Sequence, residues 1–193
     1  MNLIQRAQNI LIKPSQEWPV IKTEKTSVQQ LFLGYAVPLA AIPAICQFIG
    51  WGLFMRWGTG RMLGYAIVSY ILTLAMTFGV GFVINALAPN FGSKQSLEHA
   101  MALAVYSMTP MWVGGILYLI PAYFIYAWII WLFGLYGLYI LYLGFAAPVM
   151  DTPKDKQLTF FIIALIVVGV GITLVRVIAQ AIFMHVAYGV IGL

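Results

Sequence analysis

Reactive and metal-ligating side chains are scarce in this 193-residue sequence, and their placement narrows what they can do. There are five carboxylates, two histidines and one cysteine. His99 and His185 fall at opposite ends of the arrangement that the apolar stretches imply, so they cannot share a metal ion. Cys46, alone, makes neither an intramolecular disulfide nor a cysteine-based metal site. Glu17, Glu24, Glu98, Asp151 and Asp155 all sit in or beside polar segments. No carboxylate pair is therefore available inside an apolar run for general acid–base work. Gly-x-Ser-x-Gly, His-Glu-x-x-His and Gly-rich phosphate-binding patterns are absent. The sequence predicts no enzyme, no cofactor and no metal site.

Two polar groups remain. Tyr106-Ser107-Met108-Thr109-Pro110 interrupts a long apolar stretch. Pro110 removes a helical donor, and the Ser107 or Thr109 hydroxyl can satisfy freed carbonyls. Broken helices line substrate sites in some carriers and are packing kinks in other bundles. Arg176 is the charge lying well inside an apolar stretch, with Gln180 one turn further on. Its guanidinium must meet lipid phosphate, a carbonyl, a tyrosine hydroxyl or a bound anion. Either it snorkels to the headgroups, or with Gln180 it forms an anion or lipid-headgroup site. Tyr106, Ser107, Thr109, Arg176 and Gln180 thus form a candidate intramembrane polar site. The chemistry on offer there is binding, not bond-making.

The elements that must position these residues are five apolar stretches, 28–54, 62–88, 97–120, 122–149 and 158–187. A spanning helix needs about 20 apolar residues, and each stretch has them. The chain is 63% hydrophobic and 8% charged, against about 25% charged in soluble domains. In lipid the backbone must satisfy its own hydrogen bonds, so the stretches are expected to be helices. The predicted fold is all-α, a polytopic membrane bundle of five transmembrane helices. Residues 1–27 are a cytoplasmic segment and 28–193 the membrane domain. Pro38 and Pro43 predict bends in the first span, and Gly79 and Gly81 close contacts from the second.

Lys and Arg set the orientation. The segment before the first span and the second and fourth connections hold seven, and the opposite side holds Arg56 and Arg61. All five acids fall on the seven-cation side. The N-terminus is expected in the cytoplasm and the C-terminus outside. The net charge of +5 reflects these flanking cations, so no nucleic-acid partner is expected. Residues 1–13 are too polar for a cleavable signal peptide. Leu3, Ile4, Ala7, Ile10 and Leu11 recur at helical spacing opposite Asn2, Gln5, Arg6, Gln8 and Asn9. This predicts a short amphipathic helix lying in the cytoplasmic interface, followed by Trp18 as an interfacial anchor. Ser27 and Gln30 form a capping-box pair at the start of the first span.

The string Lys13-Pro14-Ser15-Gln16-Glu17-Trp18-Pro19-Val20-Ile21 resembles the entry motif of the Yip domain family of Ypt/Rab-interacting membrane proteins and their bacterial relatives. Ala40-Ala41-Ile42-Pro43, Tyr106 to Pro110, and Leu138-Tyr139-Ile140-Leu141-Tyr142-Leu143-Gly144 fit the family in the same order. The resemblance covers nearly the whole chain. It implies five helices and a cytoplasmic N-terminus and, in eukaryotic members, vesicle traffic with Rab binding through a longer N-terminal segment. With about 27 residues there, a Rab-type GTPase partner is not expected. The short form resembles the bacterial branch, multi-pass in the inner membrane with a periplasmic C-terminus. The expected role is membrane organisation through lipids, further copies of itself or other membrane proteins. The alternative is a transporter or channel for a small solute or anion, using the broken third helix and Arg176.

Overall fold

Short-range signals start and stop the elements. In the computed structural model, which describes residues 2–54, 59–120, 123–146 and 149–170, the Asn2 side chain accepts from the Ile4 N–H at 3.0 Å and opens α1 (Leu3–Ile12). α2 (Pro14–Thr23) follows with proline in its first turn, Glu17 at its start and Lys22 at its end, as the helix dipole favours. Ser27 and Gln30 close the expected capping box, each bond 3.2 Å long, and launch α3 (Val28–Gly52). α4 (Thr59–Leu87) ends in a tight 3-10 turn, Ala88–Phe91, and Gly92 reverses the chain at φ +67°. Ser96 caps α5 (Leu97–Ser107), α6 is Thr109–Gly114, and the tight turn Gly115–Leu119 follows. α7 (Tyr123–Ala146) and α8 (Gln157–Val170) complete the described chain. It contains no strand among the described residues.

Prolines in α3 are accommodated by wide turns rather than by a break. Phe32–Ala36 is a π-turn in which the Val37 N–H reaches back to the Phe32 carbonyl. Pro38 follows directly, so the widened turn absorbs the missing donor. A second π-turn, Phe48–Phe54, closes the helix.

Among the described residues, three helices are long and apolar enough to cross a membrane: Val28–Gly52, Met62–Phe91 and Leu97–Leu119. The apolar parts described of α7 and α8, Leu132–Phe145 and Gln157–Val170, are shorter. The third of these spans is the hub. In its most apolar window 72% of residues are buried, against 28% and 22% in the first two, and Ala100 to Ser107 are buried without interruption. Its small side chains let neighbours approach on every side. A Cβ on Gly81 of α4 would sit 3.0 Å from the Met101 Cα. Gly79 meets nothing within 4 Å, so only one of the two expected contact glycines makes a contact. On α7, a Cβ on Gly144 would strike Leu103 and the Trp18 ring. α8 docks through Phe160, stacked on Phe91 and edge-on to Phe145, both at 4.7 Å.

Large apolar side chains cover the outside, among them Leu63, Ile67, Ile71, Phe82, Leu132 and Ile166. Such a surface is stable against hydrocarbon and not against water. The molecule is a helical membrane bundle.

The N-terminal helices bury one face against the bundle, and that face is not the one expected. Arg6, Ala7 and Ile10 of α1 are buried, while Ile4 and Ile12 are exposed. The face read as polar therefore contains the buried charge. The Tyr136 hydroxyl, well within α7, donates to the Leu11 carbonyl at 2.6 Å. Trp18, expected at the interface, is fully buried and donates its indole N–H to the Ile140 carbonyl at 3.1 Å. The reason is local: the hub already offers Tyr106 and α7 offers Gly144, a polar ring and a gap that an arginine and an indole fill.

Candidate functional site: an ion cluster over a broken helix

The third span breaks where the Ser-x-Thr-Pro run predicts. At Met108 the backbone tightens, and its N–H turns to the Val105 carbonyl at 3.2 Å. The Ala104 carbonyl, deprived of its usual partner, takes the Ser107 hydroxyl at 2.9 Å. α6 restarts at Thr109 with Pro110 in its first turn, where a proline has no donor to lose. Gly137 of α7 faces the break, and a Cβ there would come within 2.7 Å of the Ser107 carbonyl oxygen.

Tyr106, Ser107 and Thr109 are brought together and buried. The Tyr35 hydroxyl of α3 shares a hydrogen bond with Thr109 Oγ1 at 2.9 Å, and the Tyr35 ring packs edge-on to Tyr106 at 4.8 Å. Trp18 approaches the other side of Tyr106 at 6.2 Å. Arg176 and Gln180 lie outside the described residues, as does His185.

Above Tyr106 sits a charge cluster that the sequence did not announce. The Arg6 guanidinium lies 5.6 Å from the Tyr106 ring centroid. One of its nitrogens bonds Glu17, the other bonds Glu24. Asn9 Nδ2 donates to the second Glu17 oxygen at 3.1 Å. Arg6 and Glu17 are almost wholly buried, and the Glu24 side chain is about one-third exposed. Arginine suits this place because its planar fork can hold two carboxylates while its face lies on an aromatic ring. Tyr106 is nine residues along α5, so the cluster meets the hub about 14 Å from the start of that helix. The signal that could have found it is Arg6 itself, flanked by Ala7 and Ile10 on the face that α1 buries. Glu17 and Glu24 follow Arg6 by only 11 and 18 residues, but the Tyr106 ring under the guanidinium comes from a distant helix.

A weaker tether lies at the same end. Lys22 pairs with Asp151 at 2.5 Å, and this partner holds the Asp151 carboxyl below its ordinary value. Lys94 N–H donates to Met150, and Ser93 meets Thr152 at 2.9 Å. The arrangement can fasten three segments together. Among the described residues it presents no cluster of three or more metal-ligating side chains.

The Yip1 domain matches residues 9–176. The chain belongs to the Yip1 domain family. The match takes in Glu17, Trp18, Glu24, Tyr35 and the Tyr106–Pro110 break. Among curated proteins, the inner membrane protein YohC of Escherichia coli K12 is 34% identical over 119 residues, 56% of this chain and 60% of YohC. YohC of Escherichia coli O6:H1 gives the same figures. The chain thus spans about 60% of the length of the curated relatives it matches. No solved structure matches it. The Yip resemblance read from the motifs holds, and the chain is an integral membrane protein of that family.

Proposed function

We propose that this Yip1-family chain is a multi-pass bacterial inner-membrane protein that organises membrane through contacts with lipid and other membrane proteins, without catalysis. One observation carries this reading: the buried charges of the described bundle are spent on one another, in the Arg6–Glu17–Glu24 cluster, and hold helices together. A catalytic or ion-coupled site needs at least one ionisable group that faces a substrate path. Tyr106, Ser107 and Thr109 are engaged in packing and internal hydrogen bonds, which speaks against the break as a solute path. The name of YohC supports the inner membrane as the location. In this reading the N-terminus is cytoplasmic, five helices span, and no Rab-type GTPase is engaged.

The test pairs two measurements. Deleting the gene should alter membrane order reported by a polarity-sensitive dye, and the wild-type chain should restore it. The purified chain in vesicles should give small-anion and small-solute leakage equal to protein-free vesicles. Saturable flux, or a deletion strain with unaltered membrane order, would sink the proposal.

A further inference from the structure

Away from the ion cluster, a cavity of about 580 Å³ opens between α3, α4, α6 and α7. That is the size of a small-molecule site. Along α4 its lining runs from Tyr65 to Val80, about 22 Å. Tyr65 and Leu72 line it and are also 52% and 53% exposed on the outer surface. The mouth therefore opens sideways, beside the exposed Val68, onto the apolar outer surface that faces hydrocarbon.

The lining chemistry selects the occupant. It includes no charged side chain among the described residues. Three of its hydroxyls already donate inside the protein: Ser69 to Ala66, Tyr70 to Val37 and Thr77 to Thr73. The rest of the wall is chiefly apolar, with Ala40, Pro43, Ala44, Leu72, Met111 and Phe133. Thr73 and Trp112, whose buried indole N–H has no hydrogen-bond partner among the described residues, add two polar groups to the lining. Gln47 and Tyr118 line one end, beside the point where Gly50 of α3 abuts the Tyr118 carbonyl. The other end is lined by Met76, Val80 and Met108. A slot that is apolar at depth, polar at one end and open to the bilayer fits an amphiphile.

We propose that this cavity holds one acyl chain of a bilayer phospholipid, entering between Tyr65 and Leu72, with the lipid's polar linkage at the Gln47–Tyr118 end. The site gives a definite place to the lipid contact proposed above and rests on that reading.

The test uses the full chain reconstituted in phosphatidylethanolamine vesicles carrying a trace of the same lipid with a photoactivatable diazirine in its acyl chain. Crosslinks are mapped by mass spectrometry. Cavity residues 69–77 should be labelled well above the open lipid-facing positions Leu132 and Leu135. Ser69→Leu and Ala44→Leu, which fill the slot, should cut cavity labelling at least fivefold and leave Leu132 unchanged. Ser69→Ala should label as the wild type does. Cavity labelling that does not change on filling would overturn the proposal. A second measurement does not depend on those variants folding. Thr73→Cys, in a Cys46→Ser background, should resist a polar thiol reagent in sealed vesicles. Reaction there would mean a water-filled path and end the acyl-chain reading. Membrane order and solute flux, measured separately, decide the broader role whichever way the labelling falls.

Discussion

Arg6 is the residue on which most depends, because a buried charge is stable only while its partners stay. Removing one member of a buried ion pair costs about 3–5 kcal/mol, whereas replacing the whole group with neutral side chains is often close to neutral. Arg6→Met should therefore destabilise the detergent-solubilised protein by about that amount. Arg6→Met combined with Glu17→Gln and Glu24→Gln should recover most of it, as read by tryptophan fluorescence in denaturant. Equal losses in the single and triple variants would mean that packing, not charge, matters at this place. Trp18 offers a parallel case. Trp18→Phe loses the bond to the Ile140 carbonyl, a loss of about 1 kcal/mol, while Trp18→Ala should cost about 3–5 kcal/mol. Neither residue's role was legible in the sequence. Periodicity places Arg6 and Ala7 on adjacent faces of a helix, but burial is decided by what lies opposite, and Tyr106 is 100 positions away. Trp18 was read as interfacial because tryptophan is common there; Gly144, 126 positions on, leaves the hole it fills.

The elements themselves were far more legible than their contacts. Within the described residues the apolar stretches match helices, because a run of about 20 apolar residues leaves the backbone no other solution in lipid. The capping box at Ser27 and the break near Pro110 were readable because both follow from chemistry within four residues. The π-turn before Pro38 was not: a proline says that a donor is missing, not how the ladder closes around it. Connections carry their own test. Asp151 has φ 52°, a conformation costly for most L-residues, and it also holds Lys22. Asp151→Asn should keep the turn and lose the ion pair, a loss within about 1 kcal/mol for so exposed a pair. Asp151→Val should add about 1–2 kcal/mol of backbone strain. The ion pair has a pH signature too. A carboxyl whose folded value is lowered contributes stability above its unfolded value and loses it as pH falls through the folded one. The difference between wild type and Asp151→Asn should thus vanish only under acid conditions, below the ordinary aspartate range. A difference that persists unchanged in strong acid would assign the effect to the backbone.

At the scale of the whole molecule, the charge count and the contacts speak to the same question from independent directions. The count grouped the N-terminal segment, the connection around Lys94 and the connection around Lys154 on one side by their cations. In the fold the same three segments are bonded to one another, through Lys22 to Asp151, Lys94 N–H to Met150 and Ser93 to Thr152. Segments in direct contact share a side of the membrane, so the orientation rule applies to the three together. Lys25, Lys94 and Lys154 are exposed, which makes each a reporter. Single Cys variants at these three positions, in a Cys46→Ser background, should react with a membrane-impermeant maleimide in inside-out vesicles and be protected in intact spheroplasts. Labelling of all three from the outside would invert the orientation and leave the fold standing. Labelling of one from the outside and two from the inside would break the bonded end apart, and with it the packing of α1 and α2 against the hub.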